Sequence, residues 1–161
     1  MNKWAYLKTQ QLMLLSTLLA IICVFYLQYM ARMQPCPLCI AQRLCAFLFA
    51  FTCLIGLRSS TPKRGKCIAS FQVFFSCAGL FFAIRQLWIL TLPPEKVPAC
   101  LPGLDVLIHF FPWQDVFYAL FWGTGSCAEV SWVLLGLSIP AWAALYFVAM
   151  LLMSVVILFS L

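Results

Sequence analysis

The sequence predicts an all-α membrane protein: a single domain over 1–161, built as a bundle of four transmembrane helices with a short first and a long second outer loop. Three observations predict it. The chain of 161 residues is 65% apolar and 16% aromatic, with only 9% charged residues, a polar share too small to cover a soluble domain of this size. Four apolar runs are each about as long as a hydrocarbon core requires. The charges, finally, are sorted along the chain rather than mixed.

The formal net charge of +6 does not describe a nucleic-acid surface. Lys3 and Lys8 precede the first run, and Arg58, Lys63, Arg64 and Lys66 cluster between the second and third. All four acids (Glu95, Asp105, Asp115 and Glu129) follow the third run. That is charge segregated by the two sides of a bilayer.

The first span is expected over 12–30, where a helix rising 1.5 Å per residue crosses about 30 Å. It is too long for a signal-peptide core, no small-x-small cleavage pattern follows it, and more spans come after, so it reads as a retained anchor. The second span is expected over 39–57. It ends at a basic, turn-rich loop over 58–67 which, with the N-terminus, belongs on the cytoplasmic side. The third span, over 68–90, crosses back out. The fourth, over 139–161, opens with Pro140 in its first turn and returns the C-terminus to the cytoplasm. Two outer loops remain, over 31–38 and 91–138, and the second carries most of the prolines and every acid. Within it the stretch 104–121 is rich in Phe, Trp and Leu but interrupted by His109, Pro112, Gln114 and Asp115. It is too broken to span and too apolar to float free, which makes it an interfacial segment. There is no internal repeat.

Topology sorts the nine cysteines. Cys23, Cys45, Cys53 and Cys77 fall inside spans and Cys67 at the cytoplasmic edge, where small apolar filling is their expected role. Cys36, Cys39, Cys100 and Cys127 face the outer side, where disulfides persist. Four cysteines allow three pairings; the spacing makes Cys36–Cys39 the natural local pair and leaves Cys100 with Cys127. If the second span opens at Pro37, Cys39 lies in its first turn, where unpaired amides and the helix dipole favour a thiolate. Arg43 follows one turn deeper on the same face. A permanent charge at that depth needs a partner, either the thiolate or an electron acceptor, unless the side chain snorkels to the headgroups. So short a disulfide loop adds little chain-entropy stability, so Cys36–Cys39 favours redox chemistry over bracing. Cys100 and Cys127 sit among turn residues; a bridge there closes a loop of about 28 residues and by itself is worth ~3 kcal/mol as a brace. Beside the first pair it instead makes a relay of two exchangeable disulfides. Zinc is the competing constellation, but structural sites usually bring a second close cysteine pair. His109 reads as a wet polar residue rather than a ligand. Arg85 either snorkels or helps hold an anionic headgroup or a quinone.

Taken together, Cys36-Pro-Leu-Cys39 with Arg43, Val97-Pro-Ala-Cys-Leu-Pro-Gly-Leu-Asp105, Gly125-Ser-Cys-Ala-Glu-Val-Ser-Trp132 and Leu135-Gly-Leu-Ser-Ile-Pro140 resemble the DsbB family over nearly the whole chain. The resemblance implies a protein of the bacterial inner membrane that reoxidises the periplasmic dithiol oxidase DsbA and passes electrons to quinone, ubiquinone or menaquinone. It implies that Cys100 forms the mixed disulfide with a DsbA-like partner and that Cys127 is its bridge partner. It places Cys36 and Cys39 beside the quinone, with the Cys39 thiolate against the ring and Arg43 supporting the site. Two features depart from the family pattern: Leu101 follows Cys100 where many relatives carry glycine, and the chain stops with its last span. Two other readings compete. A VKOR-like thiol oxidoreductase also uses four spans and loop cysteines, but places its Cys-x-x-Cys near a later span. A non-catalytic membrane subunit would use its disulfides only as braces, and a Cys36→Ser change that left DsbA oxidised would favour it.

Overall fold

The computed structural model describes residues 3–31, 36–58, 61–93, 109, 112–123 and 133–160. Four long helices carry the architecture: α1 (Lys3–Ala31), α2 (Pro37–Leu57), α3 (Pro62–Leu90) and α5 (Ile139–Ser160). A fifth, short helix α4 (Trp113–Trp122) and a two-stranded hairpin, β1 (Val133–Leu134) with β2 (Leu137–Ser138), lie between α3 and α5. All four long helices have the length and apolar composition needed to cross a membrane, because in lipid every peptide group must be hydrogen-bonded within its own segment.

The helices overrun the apolar runs at their basic ends. α1 already begins at Lys3, and α3 begins at Pro62, ahead of Lys63, Arg64 and Lys66. Hydropathy marks the hydrocarbon, whereas the peptide ladder continues into the headgroups. Pro62 sets the start of α3, its fixed φ and missing N–H suiting a first turn after the extended Thr61.

Helix α3 packs against α2 and α5, and α1 packs against α2. Between them lie two core layers. One, at the end where α2 begins, gathers Cys36, Leu38, Ala41, Cys45, Phe82, Ile89 and Phe147. The other gathers Tyr6, Met13, Phe49, Cys53, Ala69, Met150 and Ile157. Small residues let the backbones approach: a Cβ on Gly79 would lie 2.2 Å from the Phe147 ring. Large apolar side chains such as Leu15, Ile22, Phe51, Phe74, Leu152 and Phe159 point outward, as expected where the solvent is lipid. Of the five cysteines read as fillers, Cys45 and Cys53 fill the core, while Cys23, Cys67 and Cys77 are exposed on the outside of the bundle.

Polar groups tie the layers. Gln10 on α1 and Gln72 on α3 exchange amide hydrogen bonds of 3.3 and 2.7 Å, and Gln72 also donates to Cys53 Sγ at 3.3 Å. Tyr146 donates to Thr17 at 2.7 Å and so joins α5 to α1.

Helix α4 occupies part of the stretch read as interfacial. It buries Val116 and Ala119 while Trp113, Phe117, Tyr118, Phe121 and Trp122 remain exposed, an aromatic face of the kind that sits at headgroup level. It packs on α2, and the Phe121 ring lies 5.7 Å from that of Phe82 on α3. The hairpin falls where a loop was expected. Its turn residues Leu135 (φ 53°) and Gly136 (φ 81°) both adopt the positive φ of a type I′ turn. A leucine there gives no sequence signal, since Asn or Asp usually precedes the glycine.

Candidate redox site

The site begins at the N-terminus of α2. Cys36 is the N-cap, with extended backbone (φ −69°, ψ 159°), and Pro37 follows in the first turn. Its fixed φ starts the helix and its lack of an N–H leaves no extra orphan donor. Cys36 Sγ accepts the Cys39 amide N–H at 3.3 Å, so a sulfur takes the place that a serine or aspartate oxygen usually holds at a cap. The turn brings the two sulfurs side by side, 2.7 Å apart. Cys36 is buried and Cys39 partly so. A pair so placed can open and close as a disulfide without rearranging the helix.

One glutamine reaches both sulfurs and a second holds it. Gln86, on α3, donates from Nε2 to Cys39 Sγ at 3.3 Å and to Cys36 Sγ at 3.5 Å. Gln42, one turn into α2, donates to Gln86 Oε1 at 2.9 Å. Sequence reading gave neither a role. The signal was present, since an uncharged amide inside an apolar span is costly and turns toward the bundle interior.

Arg43 lies one turn deeper than Cys39 and points toward α1. Its Nη1 donates to Gln28 Oε1, and the guanidinium carbon sits 5.3 Å from the Phe25 ring centroid. Gln28 and the aromatic face meet part of the cost of holding a charge there. Arg43 Nε is buried with no hydrogen-bond partner among the described residues.

Arg85 precedes Gln86 yet faces elsewhere. Its guanidinium lies over Trp88 at 4.3 Å and Trp122 at 5.2 Å, and its Nε donates to the Trp122 carbonyl oxygen at 3.3 Å. These partners tie the end of α4 to α3; they are not those of the thiol pair. His109 is exposed. Cys100 and Cys127 lie outside the described residues, so only Cys36, Cys39 and Arg43 of the sequence-derived set can be placed around one point.

The end of α4 nevertheless meets this site. Gly123 ends α4 with φ 81° and ψ 168°, a region open in practice only to glycine. A Cβ on it would lie 2.6 Å from Ile89 Cδ1 and 2.8 Å from Leu38 Cδ1. Leu38 is the residue just before Cys39, so α4 terminates directly against the Cys-Pro-Leu-Cys turn.

The DsbB model, described as disulfide bond formation protein DsbB, matches residues 8–157. Disulfide bond formation protein B 1 of Pseudomonas aeruginosa is 42% identical over 132 residues, 81% of each chain. Disulfide bond formation protein B of Stutzerimonas stutzeri is 38% identical over 137 residues, 84% of each chain. That of Acinetobacter baylyi is 33% identical over 158 residues, 95% of this chain and 91% of its own. No solved structure gives a significant match. Four membrane-spanning helices, a contacting Cys-x-x-Cys pair at the mouth of the second, and similarity over nearly the full length make this chain a multi-pass membrane member of the DsbB family of disulfide-forming oxidoreductases.

Proposed function

We propose that this protein reoxidises a periplasmic thioredoxin-fold dithiol oxidase of the DsbA kind by disulfide exchange, and passes the electron pair to a quinone in the bacterial inner membrane. The observation that carries the reading is the sulfur pair at the N-terminus of α2, bonded by Gln86 and followed one turn on by Arg43, whose Nε is buried without an acceptor among the described residues. Both termini and the 58–67 loop are cytoplasmic in this reading, since the basic residues concentrate there. The four reactive cysteines then face the oxidising side.

The partner's thiolate attacks the Cys100–Cys127 bridge at Cys100 and forms a mixed disulfide, while Cys127 leaves as a thiolate. Cys127 attacks the second bridge at Cys36; a new Cys36–Cys127 bond forms and the Cys39 sulfur keeps the electron pair. Cys127 follows Gly123 by four positions, a reach of at most about 14 Å, so in this reading the seat of Gly123 on Leu38 limits how far the attacking thiol can stray from its target. The Cys39 thiolate is favoured by the positive end of the α2 dipole and by the Arg43 charge.

The residues present fit a quinone. Arg43 offers an unused buried N–H to a carbonyl oxygen, and Phe25 and Phe47, with ring centroids 6.3 Å apart, supply apolar surface beside it. When bound, a quinone supplies an acceptor for two electrons and two protons. We assign Arg85 to holding α4 rather than to this site, on its Trp88 and Trp122 contacts.

The test is reconstitution of the purified protein with a reduced DsbA-type partner and a short-chain quinone, following partner thiols and quinone absorbance together. Coupled loss of both is expected, and Cys36→Ser or Cys39→Ser should abolish it. Absence of coupled turnover in the unaltered protein overturns the reading, and turnover that survives Cys39→Ser overturns the redox role of the pair and leaves it a brace.

A further inference from the structure

Gln42 and Gln86 are buried, at 8% and 5% exposure, and Gln86 reaches both sulfurs. An amide in that position is costly in a membrane bundle, and leucine would fill the same volume. What the amide adds is a donor and an acceptor on one planar group. Gln86 Nε2 lies 3.3 Å from Cys39 Sγ and 3.5 Å from Cys36 Sγ, and Gln86 Oε1 is 3.6 Å from Cys39 Sγ. Because Gln42 Nε2 donates to that oxygen at 2.9 Å, the Gln86 amide is held with its N–H groups turned toward the sulfurs.

We propose that Gln86 is the positioning residue of the Cys36/Cys39 pair, giving its N–H to the sulfur that becomes anionic when the bridge opens, with Gln42 fixing its direction. This deepens the functional reading above and rests on the pair being redox-active. When an incoming thiolate attacks Cys36, one S–S bond forms, the Cys36–Cys39 bond breaks, and the electron pair stays on Cys39 Sγ. Gln86 Nε2 then donates to that thiolate, a charge-assisted bond. When Cys39 is protonated, its S–H can donate to Gln86 Oε1 instead. One side chain therefore satisfies both protonation states, which neither leucine nor methionine can do.

Several other polar and charged groups among the described residues are engaged elsewhere. Arg43 is the charged group on α2, and its Nη1 is engaged by Gln28 of α1. Arg85 on α3 is turned onto Trp88 and Trp122. The buried face of α4 presents Val116 and Ala119. α5 carries no charged residue, and its one tyrosine, Tyr146, is bonded to Thr17.

The experiment uses the full-length protein in detergent carrying Cys36→Ser. The rate of Cys39 alkylation by iodoacetamide is followed against pH by mass spectrometry of the Cys39 peptide. Gln86→Leu and Gln86→Met are expected to move the midpoint up by about one pH unit or more. Gln42→Met should move it the same way by less. With both cysteines intact, equilibration against glutathione should show the bridge about ten-fold harder to reduce in Gln86→Met. Methionine keeps the length and flexibility of glutamine, so it carries the test if the leucine variant fails to fold. A midpoint and a glutathione equilibrium both unchanged in folded Gln86→Met overturn the role of Gln86. Neither readout involves the protein partner or quinone. Failure here leaves the functional reading standing, whereas absence of coupled partner oxidation and quinone reduction in the unaltered protein removes that reading instead.

Discussion

Arg43 shows how a single charged side chain inside a bundle divides its interactions. One nitrogen is satisfied by Gln28, the guanidinium covers Phe25, and Nε has no hydrogen-bond partner among the described residues. Among the described residues its side-chain partner is the uncharged Gln28 rather than a carboxylate. Its contribution is therefore expected to fall on the electron acceptor. Replacing Arg43 with methionine should raise the quinone concentration for half-maximal turnover about ten-fold or more, as loss of a hydrogen bond to a charged group implies. Arg43→Lys should recover only part, since an ammonium is a point charge without the planar fork. Quinone titrations of purified variants check both. The need for a partner near Arg43 was legible in the sequence; its identity was not, because Gln28 is fifteen positions away on another helix and nothing local couples them.

At the scale of elements, two glycines set how helices meet. Gly79 lets α3 approach the Phe147 ring of α5 so closely that an added methyl group has no room. Gly79→Ala should cost roughly 1–3 kcal/mol by overpacking, read as a lower midpoint of thermal unfolding in detergent. The double change with Phe147→Leu should regain part of the loss. Gly123 acts differently. Its backbone conformation (φ 81°, ψ 168°) costs any other residue about 1–3 kcal/mol, and it seats the end of α4 on Leu38. Gly123→Ala is therefore expected to leave the long helices intact by circular dichroism. Turnover with the reduced protein partner should nevertheless fall about ten-fold or more, as when reacting groups are displaced by about an ångström. A variant with full turnover would show that the seat does not guide Cys127. Neither role can be read from the sequence, where Gly79 stands between Ala78 and Leu80 and Gly123 between Trp122 and Thr124; only the opposing helix shows why a Cβ is excluded.

For the whole molecule the governing solvent is lipid, and the strongest expectations follow from it. If the basic ends are cytoplasmic, a membrane-impermeant maleimide applied to intact cells with permeabilised outer membranes should label reduced Cys100 and Cys127 and spare Cys67. The reverse pattern would place the thiol pair on the reducing side and end the proposed relay. Composition, the four runs and the sorted charge were enough to determine a four-span bundle, because hydrocarbon tolerates few other chains and each span declares itself locally. The cysteine spacing and the proline between them likewise determined a dithiol at a helix mouth, since a cap and a first turn are settled within four residues. Tertiary structure alone decided what surrounds that dithiol: Gln86 from α3, Gln28 from α1 and the end of α4 converge on one turn of α2. The physical reason is that helix rotation and depth in a bundle are set by packing between small residues and by a few buried amides. Those contacts join positions remote in the chain, and so leave no periodic trace in it.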